Sequence, residues 1–217
     1  MTGGAAVSHA PFSAFVPRDF EELSKVSSER DALVILDRVE VGYERPVVGP
    51  ISLAIKPGEV VAIWGPNGSG KSTLLNAVTG VAHVFAGSIG RRTGLKVSHH
   101  AQHPLPLNDV PLSGYELLAL TRADLEGLPE TVRPLLPRRL SELSGGQMQL
   151  LRVWASLAAP VDLVLLDEPT INLDPVGVGI LEAAVRGRPS SRAIALVSHD
   201  RRFVDAMASR VIELVRR

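Results

Sequence analysis

The feature that most constrains the fold is a glycine-rich loop at residues 65–72, with the sequence GPNGSGKS. Residues 60–64 before the loop are apolar and largely β-branched, which predicts a buried strand of a parallel sheet. Residues 73–78 after it predict a helix. A strand, a loop with the spacing G-x-x-x-x-G-K-S and a helix together form a P-loop, which binds phosphate groups.

Each residue type in this loop has a physical role. The glycines allow positive φ angles and a close approach of the backbone, so that N–H groups converge on phosphate oxygens. We expect Lys71 to reach the β- and γ-phosphates of a nucleotide, Ser72 to bind Mg²⁺ and Thr73 to reach the α-phosphate. The predicted nucleotide-binding residues are Gly65, Pro66, Asn67, Gly68, Ser69, Gly70, Lys71, Ser72 and Thr73.

A second apolar run, residues 163–166, ends in the two carboxylates of Asp167 and Glu168. Acids at the end of a strand could simply cap the next helix, but beside a P-loop they match the Walker B arrangement. We expect Asp167 to hold Mg²⁺ and Glu168 to polarise the attacking water. The pair therefore predicts an enzyme that hydrolyses the bound nucleotide.

The order of apolar patterns predicts an α/β fold with a mostly parallel core sheet, because strands alternate with helices. Residues 33–41 and 51–55 predict an antiparallel β flap beside the nucleotide site, and residues 87–90 a turn with a short strand. Prolines break up short helical pieces and predict a small helical subdomain at about residues 104–158. The predicted folded domain is 32–217.

The first 31 residues predict a flexible N-terminal tail, because they are small, polar and interrupted by prolines. An apolar patch in this tail contains Phe12, Phe15 and Val16. Either the tail is loosely ordered or this patch docks on a partner.

The motif Leu143-Ser144-Gly145-Gly146-Gln147 precedes an apolar helix. With the P-loop and the Walker B pair, in this order and spacing, it resembles the nucleotide-binding subunit of the ATP-binding cassette (ABC) family over about residues 32–217. The resemblance implies a P-loop NTPase cassette fold, ATP and Mg²⁺ as ligands, and ATPase activity. It also implies a head-to-tail dimer, in which the signature residues bind the γ-phosphate of ATP held by the opposite subunit. These signature residues are Ser144, Gly145, Gly146 and Gln147.

The resemblance assigns roles to four more residues. Gln102 matches the Q-loop glutamine, which contacts Mg²⁺ and the attacking water. His199 matches the switch histidine, which contacts the γ-phosphate. The predicted catalytic residues are therefore Glu168, His199 and Gln102. Asp174 lies in the D-loop, which crosses the dimer interface, and Tyr43 fits the aromatic residue that stacks on adenine.

The signature helix departs from the family pattern at several positions. Leu150 stands where a basic residue is common, with Arg152 nearby, and residues 154–157 read WASL where Ala-Arg-Ala-Leu is common. Because these positions place the signature helix, we expect ATP binding to persist and the rate or the coupling to be unusual.

Composition limits the partners and the location of the chain. Lys and Arg total 23 and Asp and Glu total 23, so no basic field argues for nucleic acid, and none is expected as a partner. With no cysteine there is no thiolate metal site. No apolar run spans a membrane and no signal peptide is evident. We expect a cytoplasmic protein, peripheral on the inner face of the cell membrane through an integral membrane permease, with an external solute-binding protein as a possible further partner.

Residues 102–107, with the compact helical insert, look similar to the subunits that serve zinc or manganese uptake permeases. The candidates for the permease contact are Leu105, Leu107, Val110 and Tyr115. Two other classes stay open, which are an ATPase of an exporter or cell-envelope complex and a soluble ABC ATPase without a permease. The cluster His99, His100 and His103 either binds a metal or is solvated beside the nucleotide site.

Overall fold

The structure is a computed structural model that describes residues 31–102 and 110–215. The described strands are β1 Val34–Gly42, β2 Pro46–Ile55, β3 Val60–Trp64, β4 His83–Arg91, β5 Val97–His100, β6 Leu163–Asp167, β7 Ala193–Val197 and β8 Arg210–Glu213. The described helices are α1 Lys71–Val78, α2 Gly114–Thr121, α3 Gly145–Leu157, α4 Pro175–Arg186 and α5 Arg201–Met207, with 3₁₀ turns at Arg133–Leu135 and Leu140–Glu142. None of these helices is long and apolar enough to cross a bilayer.

Five strands form a parallel sheet in the order β5-β6-β7-β3-β8. All residues of β6 and β7 are buried, as expected for parallel strands covered on both faces. Along β3 the side chains alternate, so that Val61 and Ile63 pack toward α1 and the flap, while Val60 and Ala62 pack toward α3, α4 and α5.

The carboxyl ends of these parallel strands meet at one edge of the sheet. Strand β3 ends at the P-loop, β6 at Asp167, β7 just before His199 and β5 just before Gln102. Ligands of open α/β sheets bind at this edge. The fold therefore gathers motifs that are far apart in the sequence.

Strands β2, β1 and β4 form the antiparallel flap, which packs on α1 and one face of the parallel sheet. The sequence predicted only a turn and a short strand at residues 87–90, whereas β4 runs from His83 to Arg91. The register of β4 against β1 shifts between the pairs Asp37–Ser88 and Glu40–Ala86. Gly87 takes a φ of +73° at this shift, so the strand continues through the predicted turn.

The residues between Val110 and Leu157 build a hydrophobic cluster of their own. It includes Leu117 and Leu118 from α2, Val132 and Leu136 from the proline-rich connection, and Leu151 from α3. Helix α3 also contributes Val153 and Leu157 to the cluster under the parallel sheet. The signature helix thus joins the helical region to the core.

Several predictions fall on residues outside the described ranges. These are the flexible tail at residues 1–30, with the patch at Phe12, Phe15 and Val16, and the residues His103, Leu105 and Leu107.

Candidate functional site

The P-loop wraps around its own lysine. Lys71 is only 7% exposed, and its ammonium donates hydrogen bonds to the carbonyl oxygens of Gly65 at 2.9 Å and Pro66 at 3.0 Å. The hydroxyl oxygen of Ser69 is buried and has no hydrogen-bond partner. A buried polar atom without a partner is costly, so the loop presents groups that an anionic ligand could satisfy.

Two glycines of the loop leave no room for a side chain. A Cβ at Gly65 would lie 2.6 Å from the carbonyl oxygen of Leu214, and one at Gly70 would lie 2.6 Å from Cβ of Val48. Gly70 also has a φ of +88°, which other residues rarely adopt. The packing of the loop against β2 and the end of the chain therefore requires these glycines.

A cavity of about 480 Å³ opens in front of the loop. It is lined by Val47, Asn67, Gly68, Gly70, Lys71, Ser72, Thr73, Gln102, Ile171 and His199. The cavity thus brings the P-loop together with Gln102 and His199, the predicted Q-loop glutamine and switch histidine. Val47 and Ile171 are apolar lining residues that the sequence motifs did not identify.

Ser72 and Asp167 face each other at the edge of this cavity. The Ser72 hydroxyl donates to Oδ1 of Asp167 at 3.0 Å. Burial raises the pKa of Asp167, while the Ser72 hydroxyl opposes that rise; the charge of Glu168 raises it further, and Lys71 and the backbone N–H of Gln102 lower it. A hydroxyl and a carboxylate are hard oxygen donors of the kind that bind Mg²⁺.

The described residues contain no group of three or more His, Asp or Glu side chains arranged to hold a metal ion. Mg²⁺ usually takes only one or two protein ligands and completes its shell with water and substrate phosphates. The pair Ser72 and Asp167 is therefore a sufficient protein contribution to such a site, and the residues fit the ion.

Glu168 is held by His199, the second residue after β7. Its Oε2 lies 2.7 Å from Nδ1 of His199 and accepts from the His199 backbone N–H at 3.1 Å. Glu168 is 6% exposed and has a φ of +50°, whereas the His199 side chain is 64% exposed. The His199 contacts thus hold the Glu168 carboxylate in one position close to Asp167, whose pKa its charge raises.

The signature residues lie apart from this cavity, and none of them lines it. Ser144 caps α3 by accepting from the backbone N–H of Gln147 at 3.3 Å, while Oε1 of Gln147 accepts from the N–H of Ser144 at 3.1 Å. Ser144 and Gly145 are exposed, and a Cβ at Gly145 would meet nothing within 4 Å. A Cβ at Gly146 would lie 2.8 Å from the carbonyl oxygen of Asn172.

Tyr43 and Asp174 have other contacts. The Tyr43 hydroxyl accepts from Nδ2 of Asn76 at 2.7 Å, and the residue is 47% exposed and outside the cavity lining. The Asp174 carboxylate caps α4 by accepting from the N–H of Gly177 at 2.7 Å. Asn76 holds Tyr43, and no local pattern in the sequence marked it for that contact.

His100 forms a polar junction that the sequence motifs did not predict. Its Nε2 lies 3.1 Å from Nε2 of Gln149, which also donates to the carbonyl oxygen of Pro169 at 3.1 Å. Burial lowers the pKa of His100 to about 4, with smaller contributions in the same direction from the charges of Arg152 and His99. Nε2 of His100 is thus engaged with Gln149, and His103 of the predicted histidine cluster lies outside the described residues.

The departures in α3 leave two buried polar atoms without partners, Nε of Arg152 and Nε1 of Trp154. Arg152 lines a second cavity of about 290 Å³ together with Gln102, Gly145, Gln149 and Glu168. Gln102 thus borders both cavities.

Comparison with known proteins agrees with this geometry. Residues 48–171 match the ABC transporter family. The zinc import ATP-binding protein ZnuC of Cereibacter sphaeroides is 38% identical over 182 residues, which are 78% of this chain and 73% of that protein. Seven further proteins of the same name are 32–35% identical.

Two solved structures share the fold. An archaeal ribosome recycling factor, in complex with a ribosomal stalk protein, has a TM-score of 0.71 at 27% identity, covering 84% of this chain and 37% of that one. This chain therefore spans well under half of that factor. An ATP-binding subunit of an ABC transporter has a TM-score of 0.71 at 21% identity, covering 84% and 85% of the two chains.

The family match covers more than half of the chain, and the ZnuC relatives cover most of it. The predicted α/β cassette fold and the predicted ATPase activity are confirmed. The chain belongs to the ABC transporter family and is one of its ATP-hydrolysing subunits.

Proposed function

We propose that this chain hydrolyses ATP with Mg²⁺ and thereby powers the import of a divalent metal ion, zinc, through a separate membrane permease. The observation that carries the hydrolytic part is the placement of Glu168, which His199 holds beside the Ser72–Asp167 pair. The import and the ion rest on the eight relatives described above, which are named zinc import ATP-binding proteins.

The residues of the cavity suit the triphosphate of ATP. In this proposal the unpartnered hydroxyl of Ser69, the ammonium of Lys71 and backbone N–H groups of the loop bind and orient phosphate oxygens. When bound, Mg²⁺ supplies a positive charge that neutralises the phosphates, and Ser72 and Asp167 would hold it. Glu168 orients the attacking water, and His199 keeps its carboxylate in place.

The signature residues take part only if a second copy of the chain is present. Ser144 and Gly145 are exposed at the start of a 13-residue helix and lie outside their own nucleotide cavity. A helix N-terminus stabilises negative charge, so the signature of one subunit would complete the site of the other. We therefore propose a head-to-tail homodimer with two ATP molecules at its interface.

The permease would dock beside Gln102 and the helical region. Val110 is 39% exposed and Tyr115 is 51% exposed, which leaves apolar surface for such a contact. Docking there would place the chain on the cytoplasmic face of the membrane, with any external solute-binding protein on the opposite side. The zero formal net charge gives no support to nucleic acid as a partner.

The separate hydrophobic cluster of the helical region supports a domain division into an ATPase domain at residues 32–217 and a helical subdomain at about residues 104–158. In this proposal the subdomain carries the signature helix and transmits its movement.

The composite site can be tested by ATP-dependent dimerisation of the Glu168→Gln variant, measured by size-exclusion chromatography with light scattering. The expected result is a monomer without nucleotide and a dimer with ATP and Mg²⁺. A Lys71→Ala change in the same background is the control, because it removes the phosphate-binding ammonium and should keep the chain monomeric. A Glu168→Gln protein that binds ATP and stays monomeric at every concentration would contradict the composite site.

The transported ion can be tested in a strain that lacks this protein. We expect slow growth in medium containing a metal chelator, and recovery on addition of zinc but not of manganese. Recovery by manganese alone would replace zinc in the proposal, and growth that is independent of both ions would contradict metal import. Complementation with the Lys71→Ala variant should fail.

A further inference from the structure

The junction between α3 and the two strand ends connects the signature helix to the catalytic carboxylate. We propose that Gln149 is a positioning residue for ATP hydrolysis, whose amide ties the end of the Q-loop strand and the signature helix to the backbone that carries Glu168. This inference rests on the proposed function of Glu168 as the residue that orients water.

The first contact joins α3 to the turn after β6. Nε2 of Gln149 donates to the carbonyl oxygen of Pro169 at 3.1 Å. Pro169 is buried and immediately follows Glu168, so its carbonyl depends on a donor from within the protein. A movement of α3 therefore acts directly on the peptide next to the catalytic residue.

The second contact joins α3 to β5. The same Nε2 of Gln149 lies 3.1 Å from Nε2 of His100, the last residue of β5. Because an amide nitrogen can only donate, the ring nitrogen of His100 must accept, and the ring is neutral. Two residues further along the chain, Gln102 faces Asp167 through its backbone N–H. One side-chain nitrogen thus links the helix to both elements that approach the metal-binding pair.

The position of Gln149 in α3 allows the hydrogen bonds to couple the signature helix to the catalytic turn. It lies five residues after Ser144, which caps the same helix and is proposed to serve the nucleotide of the partner subunit. Glu168 serves the nucleotide of its own subunit. Gln149 connects the helix that begins at Ser144 to the turn that carries Glu168. When the partner's nucleotide moves this helix, the connection shifts the Glu168 carboxylate in the subunit's own site, since packed elements move as units.

The Glu168 turn is itself constrained, which makes it sensitive to such a bond. Glu168 has a φ of +50°, and its backbone N–H donates to the carbonyl oxygen of Val197 at 2.8 Å. A left-handed conformation at a residue other than glycine persists only when its surroundings enforce it. The bond from Gln149 to Pro169 is one of those enforcing contacts.

The test compares steady-state ATP hydrolysis and thermal unfolding of the full chain and its variants. Gln149→Met keeps the shape of the side chain and removes the donor. We expect kcat per folded molecule to fall about tenfold, because a small displacement of a catalytic group costs rate, while KM for ATP stays near the wild-type value. Tm should fall by only a few degrees, because the buried Pro169 carbonyl loses its donor. A purely structural role would lower Tm and leave kcat per folded molecule unchanged.

Thr121→Val is the matched control. It removes a hydroxyl that donates to the Leu118 carbonyl oxygen at 3.0 Å in α2, away from the junction, and should keep kcat. If Gln149→Met does not fold, Gln149→Glu makes the same test, because a carboxylate oxygen cannot donate to Pro169. His100→Leu should lower kcat less than Gln149→Met and add little to it in the double variant.

Two results separate the possible failures. A Gln149→Met protein with the kcat of the wild type, or one whose loss of kcat follows its loss of folded protein, would overturn the positioning role. A wild-type chain that hydrolyses no ATP at any concentration would instead overturn the proposed function on which this role rests.

Discussion

The P-loop end and the signature end of this molecule differ in how much of their chemistry one chain supplies. At the P-loop end, Lys71, Ser72 and Glu168 are each held by contacts from distant parts of the chain or by the loop itself. At the signature end, Ser144 and Gln147 bond to each other across one helical turn, Oε1 of Gln147 also accepts from Arg138 at 3.3 Å, and Ser144 is exposed.

This difference shows which half of the site is preorganised and which depends on assembly. At the P-loop end, contacts within the chain hold Lys71, Ser72 and Glu168 in position, which limits the reorganisation needed on ligand binding. The signature end offers a capped helix N-terminus with free space at Gly145, which fits the proposed approach of a nucleotide held by a second copy of the chain. Four predictions test this contrast.

The largest effect is expected at the preorganised end. Glu168→Gln should lower kcat on the order of a thousandfold, because it removes a general base while keeping the side-chain shape. ATP binding should persist, since Lys71 and the P-loop are unchanged. Single-turnover hydrolysis together with nucleotide binding on the same sample checks both parts. A Glu168→Gln protein with more than a tenth of the wild-type rate would show that another group acts as the base.

The next effect concerns the junction between the two ends. The pKa of His100 is about 4 in the fold against an ordinary value of 6.5, so the unfolded chain binds more protons between these pH values. Stability is therefore fully present above pH 6.5 and is lost as pH falls toward 4, by about 3 kcal/mol at most.

Thermal or urea unfolding from pH 7 to pH 4.5 checks this prediction. His100→Leu should be less stable or equally stable at pH 7 but should lose less stability on acidification. An identical pH dependence in the wild type and the variant would show that other groups account for the acid sensitivity.

The third prediction compares alanine substitutions of Gly145 and Gly146, the two neighbouring glycines at the signature end. Gly146→Ala places a Cβ 2.8 Å from the Asn172 carbonyl oxygen, so we expect a loss of about 1–3 kcal/mol of stability and of activity with it. Gly145→Ala meets nothing within 4 Å in its own chain, so Tm should stay or rise slightly.

Activity separates these variants further. If a partner phosphate approaches Gly145, Gly145→Ala should lose ATP-dependent dimerisation and hydrolysis despite its unchanged Tm. Wild-type hydrolysis by a fully dimeric Gly145→Ala protein would argue against close contact at this residue.

The smallest effect is expected at Tyr43, which lies at the rim of the P-loop end. Tyr43→Ala should raise KM for ATP by up to about tenfold through loss of aromatic stacking, with kcat unchanged. Tyr43→Phe removes only the bond to Asn76 and should stay near the wild type. Equal effects of the two changes would show that the hydroxyl, and not the ring, matters. Titration with ATP and with GTP tests whether the ring selects the base.

Local patterns predicted the fold class and most of the element positions. Continuous apolar runs marked β3, β6 and β7, because strands covered on both faces need apolar residues throughout. The prediction of a turn and only a short strand at residues 87–90 was wrong. A glycine such as Gly87 is typical of a turn, but here it lies at a register shift inside β4. A local pattern cannot tell these cases apart, since the partner strand is distant in sequence.

The site residues also fall into two groups, those that a contiguous motif marked and those that only the fold placed in the site. The loop from Gly65 to Thr73 and the pair Asp167 and Glu168 are contiguous, so their spacing alone marked them. The roles assigned to them remain predictions until ligand binding is measured. The sequence did not mark Asn76 and Gln149, because their contacts are with residues elsewhere in the chain. It did not mark Val47 and Ile171 either, because only the fold places them in the cavity lining.

The sequence by itself determined the phosphate-binding loop, the acidic strand end, the signature helix and the membership of the ABC family, because each rests on residue types at short, fixed spacing. Only the tertiary structure decided that His199 holds Glu168, that Ser72 meets Asp167, and that Gln149 joins His100 to Pro169. The physical reason is that hydrogen bonds between parallel strand ends depend on sheet order and register, which arise from packing over the whole chain.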